Sequence, residues 1–206
     1  LNFLMENIID LNKEITFETF KQQVLEDYKI IVTSREASLL GRREVLSGKA
    51  KFGIFGDGKE LPQIALAKVF QKGDFRSGYY RDQTFMMAIN ELTVKQIFSG
   101  LYANTDIDEE PMSAGRQMGA HFNTPLLNND GSWKKSIEYK NSSSDISCTG
   151  SQMPRLLGLA QASKLYRKLN FKNSKDFTKN GNEIAWGTIG NASTSEGIFF
   201  EVLNAA

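Results

Sequence analysis

Cysteine occurs once, at Cys148, and histidine once, at His121, in a chain of 206 residues. A single thiol excludes an internal disulfide, and a lone histidine reads first as a hydrogen-bonded structural residue. Charge of one sign is also missing: 25 basic against 24 acidic residues leave a formal charge of +1. Nothing in that balance draws the chain to nucleic acid or to an anionic membrane, so any anion site has to be local. Long apolar runs are absent too, and no stretch resembles a membrane span or a signal-peptide core followed by a cleavage site. A reducing cytoplasm is therefore the default compartment. What is present is 40% hydrophobic residues, enough to build a core, and the length suits one large domain or a domain plus appendages.

Residues 1–15 carry a weak helical pattern at Leu1, Phe3, Leu4, Ile8, Ile9 and Leu11 and read as an N-terminal arm; residues 16–206 read as a domain. From Thr16 a long amphipathic helix is expected to reach Gly48, burying Phe17, Phe20, Val24, Leu25, Tyr28, Ile31, Val32, Leu39 and Leu40. Arg35, Arg42 and Arg43 then fall on its outer face, solvated or paired. Pro62 favours a helical first turn, so 62–70 should be helical with Ile64, Ala65 and Val69 inward. Thr84–Asn90 and Val94–Tyr102 read as two short helices, the second capped by Thr93. From Asn104 to Asn141 the periodicity dissolves into a long polar loop, of the kind that is functional or disordered. Its acids from Asp106 to Glu110 lack calcium-loop spacing and read as solvated surface. A serine-rich run from Ser142 leads to Pro154 and a helix burying Leu156, Leu157, Ala160 and Leu165, with Gly158 permitting close packing. Asn170–Asn182 is a lysine- and asparagine-rich surface turn. Cys148 has no basic neighbour in sequence to activate it as a nucleophile.

The last stretch holds the most information. A short apolar run, Ile184-Ala185-Trp186, precedes Gly190, and an apolar stripe at Ile198, Phe199, Val202 and Leu203 has helical spacing. The order is strand, turn, helix. Gly190 permits the turn, and Ser193 with Glu196 has capping-box spacing. By residue type this is either a well-capped strand-to-helix turn or, with free amides at a helix N-terminus, a seat for phosphate.

The segment Gly190-Asn191-Ala192, followed by Ser195-Glu196-Gly197, resembles the diphosphate and metal motif of the thiamine diphosphate-dependent 2-oxoacid dehydrogenases, in the α portion of their decarboxylating component. Asn191 stands where that family carries a carboxylate. Three further runs follow in the family's order. Tyr80-Arg81-Asp82 resembles its Tyr-Arg-acid grip on the diphosphate, where guanidinium offers a planar fork and a phenol adds a donor without charge. Gly115-Arg116-Gln117-Met118 before His121 resembles the branched-chain members. Ser147, Thr149, Ser151 and Gln152 resemble the run that lines the thiazolium end and, in branched-chain members, a structural potassium ion. Cys148 replaces a proline there, which puts potassium in doubt. Gly56-Asp57-Gly58 matches the metal motif by letters alone, since no buried strand precedes it.

The resemblance implies an α/β thiamine diphosphate-binding fold with a mostly parallel sheet flanked by helices, cut short after the diphosphate-motif helix, and thus the N-terminal part of a longer chain. It implies oxidative decarboxylation of a branched-chain 2-oxoacid with acyl transfer to a lipoyl group. The implied cofactors are thiamine diphosphate and Mg2+, with Tyr80, Arg81, Ser147, Thr149, Gly190, Asn191, Ala192 and Ser193 binding cofactor and Asn191 as metal ligand. The implied partners are a β portion, separate or fused, and a lipoyl acyltransferase, in a hetero- or homo-oligomer. No general acid or base is assigned, and the alternatives are a non-catalytic scaffold on the same fold or a pyruvate- or acetoin-type enzyme.

Overall fold

The computed structural model describes residues 15–169 and 172–206. The expected arm therefore lies outside the described residues, apart from Ile15. The chain opens with α1, Phe17–Leu46, whose N-cap Thr16 accepts a hydrogen bond from Thr19 N at 3.2 Å. Helix α2, Glu60–Val69, places Pro62 in its first turn, and the main chain then enters strand β1, Phe75–Ser77. Helices α3, Gln83–Ala88, and α4, Val94–Leu101, follow. Thr93 and Gln96 close a full capping box on α4, as the sequence reading of Thr93 anticipates. Strand β2, Asn141–Ser142, helix α5, Gln152–Leu169, strand β3, Ala185–Gly187, and helix α6, Gly197–Ala205, complete the order.

All three strands run parallel in the order β2-β1-β3, with Phe75 opposite both Asn141 and Ala185. This is the expected α/β architecture, a small parallel sheet flanked by helices. Parallel neighbours leave their carboxyl ends on one edge, and that edge is where such folds bind ligands. Below it, Phe70 meets Phe85 edge-on at 5.1 Å, in a core that includes Met86, Ile89, Leu92, Ile97 and Phe122. Among the described residues no helix is long and apolar enough to cross a membrane.

Helix α1 packs by a face the sequence reading did not choose. Phe17, Phe20, Val24, Leu25, Tyr28, Val32, Leu39 and Leu40 are all exposed, while Ser34, Ala37, Ser38 and Gly41 are buried. Small side chains let α1 approach α3 closely, and polar groups then close the contact. Ser34 Oγ lies 2.7 Å from Thr84 Oγ1, and Gln83 Nε2 donates to Ser34 O at 3.0 Å. At Gly41 a methyl would overlap the ring of Phe55. The arginine reading holds better: Arg35 forks onto Glu60 at 2.5 and 2.7 Å, and Arg42 pairs with Asp57.

Other expectations shift in the same way. On α2, Ile64 and Ala67 are buried, whereas Ala65 and Val69 face out because α1 and α3 both cover one side. On α5, Ala160 and Leu165 are exposed and Gly158 borders open space. Close packing falls instead to Gly187, where a methyl would sit 2.5 Å from Leu156 Cδ2. Strand β2 has no apolar pattern to announce it, because side chains help to pair it: Ser142 N donates to Thr124 Oγ1 at 2.8 Å and Ser143 Oγ to Arg76 O at 2.9 Å. Within the long loop, Asp106 and Asp108 are solvated as expected, but Glu110 is only 3% exposed. It accepts from Met112 N, Ser113 N, Ser113 Oγ and Gly115 N at 2.6–3.1 Å and so organises the turn.

Candidate functional site

At the carboxyl end of β1 the chain bends through Gly78, where a methyl would overlap the guanidinium of Arg76. That side chain turns inward instead of toward solvent and is 1% exposed. Its Nε donates to Asp82 Oδ2 at 2.9 Å, Nη1 to Ser142 Oγ at 2.7 Å, and Nη2 to Tyr79 O at 3.0 Å and Asp145 Oδ2 at 3.2 Å. Asp145 Oδ1 also lies 3.0 Å from Nη2, without the alignment of a hydrogen bond. Burial acts to lower the Arg76 pKa, but the carboxylates of Asp145 and Asp82 outweigh it and the net direction is up. Burial pushes the Asp145 carboxyl up, with Arg76 pulling the other way. Asp82, the acid of the Tyr-Arg-acid run, thus points into the protein. It also accepts from Tyr79 N at 3.1 Å and from Thr188 Oγ1.

The turn so held presents two phenols and a guanidinium. The rings of Tyr79 and Tyr80 are 4.3 Å apart, and the Tyr79 hydroxyl donates to that of Tyr80 at 3.4 Å. Burial, then that bond, push the Tyr79 pKa up to about 12, so it stays a neutral donor. Arg81 Cζ lies 5.9 and 5.7 Å from the two ring centroids, within cation–π range. Its backbone is fixed by Gln63 Nε2, which donates to Arg81 O at 2.9 Å while Gln63 Oε1 accepts from Phe85 N at 2.9 Å. Its side-chain Nε is buried and has no hydrogen-bond partner. A buried charged donor left unsatisfied is costly, and that cost makes Arg81 the candidate anion partner of this turn.

His121 stacks on Tyr80, centroids 6.4 Å apart at 17°. Its Nε2 lies 2.7 Å from Ser147 Oγ and its Nδ1 3.4 Å from Gly119 O, the hydrogen-bonded role that a lone histidine suggests. The next residue, Phe122, donates its N–H to Asp145 Oδ2 at 3.0 Å. Arg116 is exposed and donates to Ser113 O at 2.9 Å, whereas Gln117 Nε2 donates to Ser144 Oγ at 2.7 Å. Gln152 Nε2 is engaged by Thr188 O at 3.0 Å, so the run Ser147 to Gln152 divides its polar groups between two neighbours. Thr149 is exposed in the turn before α5.

Across the edge, a methyl on Gly190 would stand 3.0 Å from the Tyr79 hydroxyl, so glycine is what lets these segments meet. The anticipated capping box does not form. Asn191–Ser195 is a 3-10 turn, α6 starts only at Gly197, and its N-cap Glu196 makes no side-chain cap bond. Small residues after Gly190 allow the tighter turn to continue, so Ser193 is buried with its N bonded to Gly190 O at 2.9 Å. Asn191 and Ala192 remain exposed on the outside of that turn. The structure therefore joins Tyr80 to Ser147 through His121, and Tyr79 to Gly190. Thr149, Asn191 and Ala192 are exposed in the turns before α5 and α6, and their side chains are not among those brought together.

Sequence reasoning missed Tyr79, Gln63, Asp145 and Arg76. Tyr79 was visible as an aromatic beside Tyr80, but burial of Arg76 and Asp145 had no signature in the sequence. Among the described residues no group of three or more His, Cys, Asp or Glu side chains could hold a metal ion. Compared with known proteins, residues 31–206 match the model of the family described as dehydrogenase E1 component. No curated protein matches the chain.

Proposed function

The chain belongs to the dehydrogenase E1 component family, the thiamine diphosphate-dependent part of 2-oxoacid dehydrogenases, and from that premise we propose that its strand-end site grips the diphosphate of the cofactor in a branched-chain enzyme. The observation that carries this reading is Arg81, whose Nε is buried without a partner beside two phenols. Guanidinium supplies a rigid fork for phosphate oxygens, and neutral tyrosine hydroxyls add donors at no cost in charge. The Gly190–Ser193 turn supports the reading from the other side, since glycine at 190 lets that turn lie against the Tyr79 hydroxyl and so beside the grip. Ser147, held by His121, and Thr149 stand toward the thiazolium end in this reading.

When bound, thiamine diphosphate supplies the carbanion chemistry of decarboxylation, and the protein supplies binding, orientation and electrostatics. Asn191 offers magnesium a hard but neutral amide oxygen on an exposed turn. Most of the metal's charge is then balanced by the diphosphate, so metal and cofactor bind together. The branched-chain assignment is supported by Gly115-Arg116-Gln117-Met118 before His121; acyl transfer to a lipoyl group and pairing with a β portion belong to the same proposal, and the family match supports them. Asn191 favours one other reading, a scaffold that kept the fold and lost ionic metal ligation.

Native mass spectrometry of the protein incubated with thiamine diphosphate and magnesium separates the two. The expected result is one cofactor and one magnesium retained per site, lost together on adding a chelator. Retention of neither at saturating concentration sinks the enzyme reading, and cofactor binding unchanged by chelator removes Asn191 as a metal ligand.

A further inference from the structure

The buried guanidinium of Arg76 touches no surface a ligand can reach, yet it bonds the Tyr79–Asp82 turn, Ser142 and Asp145 directly and reaches the other segments of the site through its two carboxylates. Through Nη2 and Nε it holds Tyr79 O and Asp82, the two ends of the turn that carries Tyr80 and Arg81. Through Nη1 it holds Ser142 at the carboxyl end of β2. Asp145, its second carboxylate, fixes the N–H of Phe122 and hence the position of His121. Asp82, its first, takes the hydroxyl of Thr188 on the way from β3 to Gly190. An arginine fork has the donors for four acceptors at once, and a fully buried one is held by all of them.

We propose that Arg76 is a positioning residue: it sets the Tyr80–Arg81 grip, the His121–Ser147 pair and the approach to Gly190 in one common geometry. The proposal uses the cofactor reading only for one of its two measurements. A mere stabiliser lowers the unfolding temperature and leaves the native site as it was. A positioning residue changes the site in a protein that is still folded.

His121 is the only histidine, so its ring protons and nitrogens give a single set of resonances that report Tyr80 and Ser147 directly. In Arg76→Met, provided that it still unfolds in a cooperative thermal transition, those resonances are expected to move and the His121–Tyr80 ring contacts to weaken. Removing the cation leaves Asp82 and Asp145 facing each other, so Ser142→Ala and Thr188→Val, which each cut one tie without changing charge, serve where Arg76→Met does not fold. They should move the same resonances in the same direction by a smaller amount. Unchanged His121 signals in the folded variants overturn the proposal.

The second measurement is a cycle of thiamine diphosphate affinities, with magnesium, across wild type, Arg76→Met, Arg81→Ala and the double variant. Substitution of Met at 76 is expected to weaken binding about tenfold in the wild-type background and clearly less once Arg81 is gone, the non-additivity of residues acting through one another. Where Arg76→Met does not fold, the cycle is run with Thr188→Val in its place. Equal losses in both backgrounds overturn the proposal. If the wild type binds no thiamine diphosphate, the proposed function fails, and the His121 signals still decide the role of Arg76.

Discussion

Arg81 keeps a buried Nε without a hydrogen-bond partner beside two aromatic rings, which makes it the residue on which the proposed diphosphate grip is tested. Arg81→Ala should weaken thiamine diphosphate binding by about 2–5 kcal/mol, the cost of taking one partner from a desolvated charge pair, and Lys should recover only part of it. Calorimetric titration with magnesium present measures both; normal binding by the alanine variant returns Arg81 to an ordinary surface role. Asn191 is tested by adding charge. Asn191→Asp should raise magnesium affinity in the absence of cofactor, because a carboxylate binds the ion more strongly than an amide oxygen does. A metal titration that does not distinguish the two proteins removes residue 191 from the metal shell. Glu110 makes a pH prediction. Burial acts to raise its pKa, but the bonds from Ser113, Gly115 and Met112 outweigh it and hold it below the usual carboxylate range. A depressed folded-state pKa contributes stability above the unfolded value, about 4.3, that is lost as pH falls through the folded value. Between pH 7 and 5 the melting temperature should owe nothing to this titration. Below that, wild type should lose stability more steeply than Glu110→Gln, and parallel profiles of the two would show that Glu110 does not titrate below its usual range.

Helix α4 depends on its capping box, in which Thr93 accepts from Gln96 N at 3.2 Å and Gln96 Oε1 accepts from Thr93 N at 2.9 Å. Thr93→Ala should cost about 1 kcal/mol in denaturant unfolding, and a loss of near zero would mean that packing of Ile97 and Leu101 holds the helix unaided. These elements also show where pattern reading works. Thr16, Thr93 and Pro62 mark helix starts because caps and first-turn proline act within a few residues of chain. The buried face of α1 does not behave that way. Its period is helical, but the side that packs is chosen by which residues let α3 come close, and Ser34, Ala37, Ser38 and Gly41 do so while Phe17 and Phe20 do not. At the chain's other end the expected Ser193 cap gives way to a 3-10 turn, because Ser193 is drawn inside beneath Gly190.

At the scale of the molecule, four chain segments meet at one edge of a three-stranded parallel sheet. A ligand that bridges them binds the folded state and not the unfolded chain, so thiamine diphosphate with magnesium should stabilise the protein by about 2.7 kcal/mol at roughly a hundredfold excess over Kd. A thermal scan showing no shift under those conditions counts against a site at this edge. The residues gathered there divide by how they can be recognised. Local sequence was enough for the resemblance to the family that residues 31–206 match, through the runs Tyr80-Arg81-Asp82, Gly115 to Met118, Ser147 to Pro154 and Gly190 to Gly197, and the resemblance brought the parallel α/β class with it. Tertiary structure alone decided that Asp82 turns inward, that Arg76 and Asp145 are buried together, that Glu110 leaves the solvated acids, and that a serine run with no apolar pattern becomes β2. For Asp82, the Arg76–Asp145 pair and β2 the deciding partner lies tens of residues away, such as Asp145 for Arg76 or Thr188 for Asp82, and a contact of that range leaves no periodicity in the chain; Glu110 is bonded within five residues, by backbone and hydroxyl donors that a polar stretch does not single out.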